Sequence, residues 1–130
     1  MKEKTLAQLR EAFVQKWLRK ASLQWFPRTE AVRAARKQRG LHECAMCKSL
    51  VRRGEYILDH IDPVIPLQGL PVRPDGGRDW NVWIDRLLCP SSNFRLICKA
   101  CDEAHTNSQK EMRKYYRKRK KYVDSKAKKR

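Results

Sequence analysis

Two carboxylates and one imidazole interrupt the apolar stretch EYILDHIDPVIP at residues 55–66. The side chains that open this stretch predict a β-strand, in which neighbouring residues point to opposite faces. Charge in an apolar segment is costly unless it is paired or metal-bound. Asp59 offers the hard oxygen ligand that Mg²⁺ or Mn²⁺ prefers, and a neutral His60 can take a proton from water. Taken alone, the dipeptide is more typical of a structural histidine, and Asp62 is interpreted as a turn or capping residue.

Four of the five cysteines form two Cys-x-x-Cys pairs, Cys44 with Cys47 and Cys98 with Cys101. Paired thiolates of this kind are typical of a closed, tetrahedral zinc site with a structural role. The pairs lie farther apart than those of an ordinary zinc ribbon, but a long insertion is tolerated because loop closure entropy grows slowly with length. We expect Cys89 to be a small buried hydrophobic residue rather than a ligand.

The charge balance is strongly basic. The 130 residues include 31 Lys and Arg against 14 Asp and Glu, so the formal net charge is +17 and the isoelectric point is near 10.1. Such a balance indicates a nucleic-acid-binding protein, although a cationic protein on an anionic membrane, or one kept soluble by its charge, has the same composition. No apolar run approaches the roughly 18 residues that a membrane span needs.

The N-terminal sequence has no apolar core of the kind found in a signal peptide, so we expect a cytoplasmic protein. Thiols stay reduced in that compartment, which favours metal binding over disulfides for the two Cys-x-x-Cys pairs.

Two helices are predicted before the first cysteine. Residues 5–26 carry apolar side chains at helical spacing, and we expect this amphipathic helix to pack on the core. Pro27 begins a second, basic helix, which Gly40 ends. The apolar positions of the first helix are Leu6, Leu9, Phe13, Trp17 and Leu18.

The rest of the chain alternates loop and helix. Residues 68–77 are rich in Gly and Pro and predict a loop, and residues 79–88 predict a short helix capped by Asp79. A further helix is expected to begin near Asp102, and the basic stretch 110–130 is predicted to be a helix that frays into a disordered tail. The inward-facing residues of the short helix are predicted to be Trp80, Trp83, Ile84, Leu87 and Leu88.

The basic residues of the second helix and of the C-terminal stretch are candidates for phosphate contacts, although a charged face is often only solvated. The predicted DNA-binding residues are Arg28, Arg33, Arg36, Lys37, Arg39, Arg95, Arg113, Lys114, Arg117 and Lys118.

The segments YILDHIDPV, SSNFRLICKAC and DEAHT, taken together, resemble the HNH endonuclease family, in particular small phage and prophage members with a Cys₄ zinc. The likeness runs from Cys44 to about Thr106, half of the chain. It implies an α+β fold in which a β-hairpin and a helix grip one metal ion, the ββα-metal core, with N-terminal helices and a basic C-terminal helix or tail. Three segments are expected: a helical basic extension at 1–40, the zinc-stapled nuclease domain at 41–109 and the basic tail at 110–130.

The resemblance assigns roles residue by residue. It implies that His60 is the general base, that Asp59 binds the divalent cation and that Asn93 pins the hairpin loop. Asp102 stands where the family usually has histidine, and it offers an oxygen ligand to Mg²⁺ or Mn²⁺. His105 stands where the family usually has lysine, so its role as second metal ligand, phosphate contact or bystander stays open. Arg95 replaces the more usual glutamine and is a candidate phosphate contact.

The function that the resemblance implies is metal-dependent cleavage of double-stranded DNA, by nicking or by double-strand cutting, with the ββα motif in the minor groove. The products would carry 5′-phosphate and 3′-hydroxyl ends. The phage subgroup further implies DNA processing or packaging beside terminase subunits in a bacterial host cell, and the oligomeric state stays open.

Two other functions compete with this one. A non-catalytic zinc module with a degenerate HNH site is kept open by the departures at Asp102 and His105. A ribosome-associated basic zinc protein would explain the charge and the cysteines, but not why the candidate site residues occur together.

Overall fold

The computed structural model describes residues 2–129, which form a mixed fold of helices and small antiparallel sheets. The α+β class expected from the sequence is therefore confirmed. None of the helices in these residues is long and apolar enough to cross a lipid bilayer. The elements in chain order are α1 (Leu6–Ser22), α2 (Phe26–Ala35), β1 (Arg36–Gln38), β2 (Leu41–Glu43), β3 (Leu50–Val51), β4 (Tyr56–His60), α3 (Trp80–Leu87), β5 (Phe94–Cys98) and α4 (Lys99–Lys128).

Strands β4 and β5 pair antiparallel over their whole length. Helix α4 begins directly after β5. The register places Asp59 opposite Arg95 and His60 opposite Phe94. The centre of β5 is buried, and Ile97 has no exposed surface, so the hairpin is anchored by its second strand. The order strand, strand, helix brings the end of β4 beside the first turns of α4.

The basic segment before Gly40 is only partly helical, which corrects the sequence prediction. Helix α2 ends at Ala35, and β1 then pairs with β2 across a turn in which Gly40 has a φ of 74°. Glycine adopts this left-handed conformation without the clash that a Cβ would cause. Strand pairing therefore overrides helix propensity here, and Arg36, Lys37 and Arg39 lie on the strand and its turn.

Helix α1 forms as predicted and begins with a capping box built by Thr5 and Gln8. Its packing was predicted wrongly, because most of its apolar stripe faces solvent. Phe13 is 64% exposed and Trp17 is 50% exposed, and the one fully buried residue of the helix is Ser22. Helical periodicity shows that a helix has an apolar face, but not what covers that face.

Helix α3 supplies the centre of the core. Asp79 caps it as predicted by accepting a hydrogen bond from the backbone N–H of Asn81. Trp83 and Leu87 are 1% and 5% exposed, whereas Ile84 is only partly covered. Helix α4 is continuous to Lys128, so the fraying predicted for the basic stretch does not occur within the described residues.

Candidate metal centre and active site

The four cysteines of the two Cys-x-x-Cys pairs converge. The Sγ atoms of Cys44, Cys47, Cys98 and Cys101 lie within 4.8 Å of one another. A tetrahedral zinc ion with Zn–S bonds of about 2.3 Å would place its sulfur ligands about 3.8 Å apart. The Cys47 and Cys98 Sγ atoms are 3.7 Å apart, close to that spacing. The four cysteines can therefore hold one zinc ion.

The backbone around this cluster favours thiolates. The N–H groups of Cys47 and Cys98 donate to the Cys44 Sγ at 3.5 and 3.3 Å. Burial would raise the pKa of Cys44, but these hydrogen bonds outweigh it and bring the pKa to about 6. A hydrogen bond with the Cys98 thiol is the largest effect that raises the pKa of Cys101, to about 12, because it stabilises the protonated form of Cys101.

The cysteine cluster lies beside the elements that carry the candidate active site. The first pair is tied to the hairpin because the Ala45 N–H donates to the Leu96 carbonyl of β5 at 2.8 Å. The second pair lies at the junction of β5 with α4. A metal ion on the four sulfurs would thus lock the hairpin to the beginning of α4. Cys89 is buried, at 3% exposed, and stays outside the cluster as predicted.

Asp59 points from β4 towards α4. Its Oδ2 atom lies 3.7 Å from the His105 Nε2 and accepts a hydrogen bond from the Arg95 Nε at 3.2 Å. All three side chains keep about one fifth of their surface exposed, with values of 20% for Asp59, 23% for His105 and 21% for Arg95. Gln109, one turn further along α4, makes a hydrogen bond to the His105 Nε2 at 3.0 Å.

Asp102 lies in the first turn of α4, and it does not form a three-ligand group with Asp59 and His105 within the described residues. Within residues 2–129, the four cysteines are the one group of three or more His, Cys, Asp or Glu side chains whose ligand atoms are close enough for a single ion. The structure therefore brings together Asp59 and His105, two of the three predicted ligands of the catalytic metal.

His60 projects from the opposite face of β4. Its ring packs on the Phe94 ring with 4.7 Å between centroids, and its Nε2 lies 3.1 Å from the Leu87 carbonyl oxygen. A carbonyl can only accept, so Nε2 carries the proton and, in the neutral ring, Nδ1 is the nitrogen with a free lone pair. Burial lowers the pKa of His60 below 6.5, against the opposing effect of the Leu87 hydrogen bond.

Asn93 ties the chain that leaves β4 to the turn that precedes β5. The Asn93 carbonyl accepts from the Ile61 N–H at 2.8 Å, and its side-chain Oδ1 accepts from the Asp62 N–H at 3.2 Å. These bonds hold the end of β4 in place, so the side chain has the structural geometry expected of it. Asp62 takes part through its backbone and is itself exposed.

No pattern in the sequence indicates that α2 reaches the candidate active site. Helix α2 packs against β5 and the turn before it, and this packing places the Arg28 guanidinium 5.3 Å from the centre of the Phe94 ring. His60 packs on the same ring, and the positive charge of Arg28 helps to lower the pKa of His60. Sequence patterns identified Arg28 only as one of several basic residues, because its contact joins positions 66 residues apart.

The other predicted DNA-binding residues divide by their contacts. Both terminal nitrogens of Arg113 donate to backbone carbonyls, at 2.8 Å to Ile65 and 3.1 Å to Pro66, so this residue anchors a loop. Lys37 pairs with Glu43 at 3.3 Å, and Lys114 pairs with Glu111 at 3.4 Å. Exposed side chains without such contacts among the described residues are Arg33, Arg36, Arg39, Arg117 and Lys118.

No family model, curated protein or solved structure matches this chain.

Proposed function

We propose that this protein is a metal-dependent phosphodiesterase of the HNH type that cuts DNA. The observation that carries the proposal is the placement of Asp59 and His60 at the end of β4. Asp59 lies beside His105 of α4, and His60 is held in one tautomer by the Leu87 carbonyl. A cation ligand and a proton acceptor thus flank one strand end, close to the basic surface of α4.

Asp59 and His105 fit a divalent cation as a two-ligand site. A carboxylate oxygen and an imidazole nitrogen suit Mn²⁺, and Mg²⁺ commonly binds through one or two carboxylates while it keeps several waters. Both side chains are partly exposed, so water and a phosphate oxygen can complete the coordination. When bound there, such a cation would supply positive charge to a phosphate in the transition state of phosphodiester hydrolysis.

His60 is proposed to act as general base. Its Nδ1 accepts a proton from a water molecule as the water oxygen forms a bond to phosphorus and the bond from phosphorus to the 3′ oxygen breaks, and the leaving 3′ oxyanion then takes a proton from solvent water to become the 3′-hydroxyl. The Leu87 carbonyl holds the proton on Nε2, so Nδ1 is ready to accept. The Arg28 guanidinium, which shares the Phe94 ring with His60, is placed to attract the anionic phosphate towards this base.

A second candidate function is supported by the ion pair between Arg95 and Asp59. The Arg95 Nε lies 3.2 Å from the Asp59 Oδ2, so a cation would have to share this oxygen with the guanidinium or displace the guanidinium from it. If the arginine stays in place, the same scaffold is a zinc-containing nucleic-acid-binding protein without catalytic activity. The two functions differ in whether a metal ion can replace Arg95 at the Asp59 carboxylate.

Conversion of supercoiled plasmid to nicked or linear DNA tests the enzyme function. The wild-type protein should convert plasmid when Mg²⁺ or Mn²⁺ is added, and His60→Ala should be slower by about 10²- to 10⁴-fold, the usual contribution of a general base. The matched control is Asp62→Asn, two residues away and exposed, which should cut at nearly the wild-type rate.

Zinc content and the circular dichroism spectrum should be unchanged in both variants, so that a loss of cutting reports on chemistry rather than folding. A wild-type protein that binds plasmid but converts none of it with either cation would overturn the enzyme function and leave the binding function standing.

A further inference from the structure

The loop that follows β4 and the distal half of α4 enclose a basic groove. Arg113 fastens the loop to the helix through the Ile65 and Pro66 carbonyls. Beyond this clamp lies a groove of about 310 Å³ between the loop and the helix. The residues that line it are Leu67, Gln68, Gly69, Arg113, Tyr116, Arg117 and Lys120.

The groove lies on the side of α4 that faces the candidate active site. An α-helix turns by about 100° per residue, so Tyr116 and Lys120 lie within about 60° of His105 around the helix axis. Half-buried residues recur along this side, at His105, Gln109, Arg113 and Tyr116. The same helix face therefore leads from Asp59 and His105 into the groove.

The positive charge in the groove is uncompensated. Arg117 and Lys120 form no ion pair with the carboxylates of residues 2–129, and the loop wall contributes only Leu67, Gln68 and Gly69. The opposite face of α4 is different, because Lys114 there pairs with Glu111. Lys114 and Lys118 lie about 180° and 220° around the helix from His105. Composition treats these four basic residues as equivalent, but only Arg117 and Lys120 line the groove beside the loop, while all four also border a second surface of α4.

We propose that this groove is a binding site for the phosphate backbone of DNA, on one side of the scissile phosphate. This inference rests on the proposed nuclease function for the position of the cut, but not for the binding itself. Tyr116 and Lys120 follow His105 by roughly 16 and 22 Å along the helix axis.

The salt dependence of DNA binding tests whether the groove residues Arg117 and Lys120 contribute more to binding than Lys114 and Lys118, which do not line the groove. Binding to a 30-base-pair duplex is measured by fluorescence anisotropy at several salt concentrations, without added Mg²⁺ or Mn²⁺, so that no cleavage occurs. Arg117→Gln with Lys120→Gln should lower the slope of log affinity against log salt by about two, because two phosphate contacts are lost. The control, Lys114→Gln with Lys118→Gln, removes the same charge from residues of α4 that do not line the groove, and it should leave the slope within about half a unit of wild type.

The helical content of both double variants is checked by circular dichroism, since all four positions lie on α4. Equal losses of slope in the two variants would overturn the proposal that the groove binds the DNA backbone, and they would indicate only a diffuse attraction by net charge. No loss in the groove variant would overturn it as well. A groove variant that binds weakly, in a protein whose wild type never cuts, would support the groove and reject the nuclease function.

Discussion

The candidate chemistry depends on two adjacent residues that face opposite sides of one strand. The alternation of side chains along β4 sends Asp59 towards α4 and His60 towards the end of α3. In the proposed mechanism, this separation would let Asp59 bind a cation and His60 act as a base at the same strand end without the two side chains binding each other. The Leu87 carbonyl then decides which nitrogen of His60 can accept a proton.

The residue identities were visible in the sequence, but their partners were not. The motif around Asp59 and His60 predicted a ligand and a base, and Asn93 was predicted to pin the hairpin loop. In the structure, Asn93 accepts hydrogen bonds from the backbone N–H groups of Ile61 and Asp62. Backbone acceptors such as the Leu87 carbonyl carry no sequence signature. The position of Arg28 beside Phe94 depends on how α2 packs, which local patterns do not encode.

The burial of His60 predicts how stability depends on pH. The pKa of His60 is lowered below 6.5 in the folded protein, so the unfolded chain binds its proton first as pH falls. The stabilising contribution is fully present above about pH 6.5 and is lost as pH falls towards the lowered pKa. The free energy of unfolding, measured in urea at pH 7.5 and 5.5, should therefore fall more for wild type than for His60→Gln. An equal decrease in the two proteins would contradict the burial of a neutral His60.

At the scale of the elements, the four cysteines join the hairpin to α4. The two pairs lie on opposite sides of β4 in the sequence, so one ion across them closes the chain segment that carries Asp59 and His60. Short antiparallel pairs such as β4 and β5 are marginal when isolated. A metal ion on the four sulfurs would therefore stabilise the arrangement of β4, β5 and α4 on which the proposed chemistry depends.

Zinc content tests this role of the cysteine cluster. Elemental analysis should find one zinc per wild-type chain, loss of most of it in Cys101→Ser, and retention in the control Cys89→Ala, whose side chain is buried away from the cluster. Because the pKa of Cys101 is about 12 without metal, zinc must displace a proton there, and zinc affinity should decrease as pH is lowered. A wild-type chain that contains no zinc would contradict the proposed role.

The elements themselves were predicted unevenly. Helices α1 and α3 follow from their apolar periodicity and caps, and the paired cysteines predicted the metal centre. Strand β1 was missed because two basic residues and a glutamine carry no strand signal, and only their pairing with β2 makes them a strand. The exposed face of α1 was missed because periodicity says nothing about the tertiary partner.

At the scale of the whole molecule, the protein has a formal net charge of +17 and a small core, and the candidate active site lies at the edge of that core. A field of this size steers polyanions towards the surface at a rate that depends strongly on ionic strength. The structure shows where part of that charge lies, because the face of α4 that holds His105 continues to Lys120. Composition predicted a polyanion ligand, while only the structure shows which basic residues of α4 line the groove beside the loop.

The central claim is that Asp59 and His105 hold the catalytic cation, and a crystal soaked in Mn²⁺ tests it most directly. Anomalous diffraction measured on both sides of the zinc edge should show one zinc peak among the four cysteine sulfurs and one manganese peak between the Asp59 carboxylate and the His105 Nε2. The manganese peak should disappear in Asp59→Asn while the zinc peak remains. A zinc peak without any manganese at Asp59, in crystals whose Asp59 stays paired with Arg95, would contradict the proposed catalytic site.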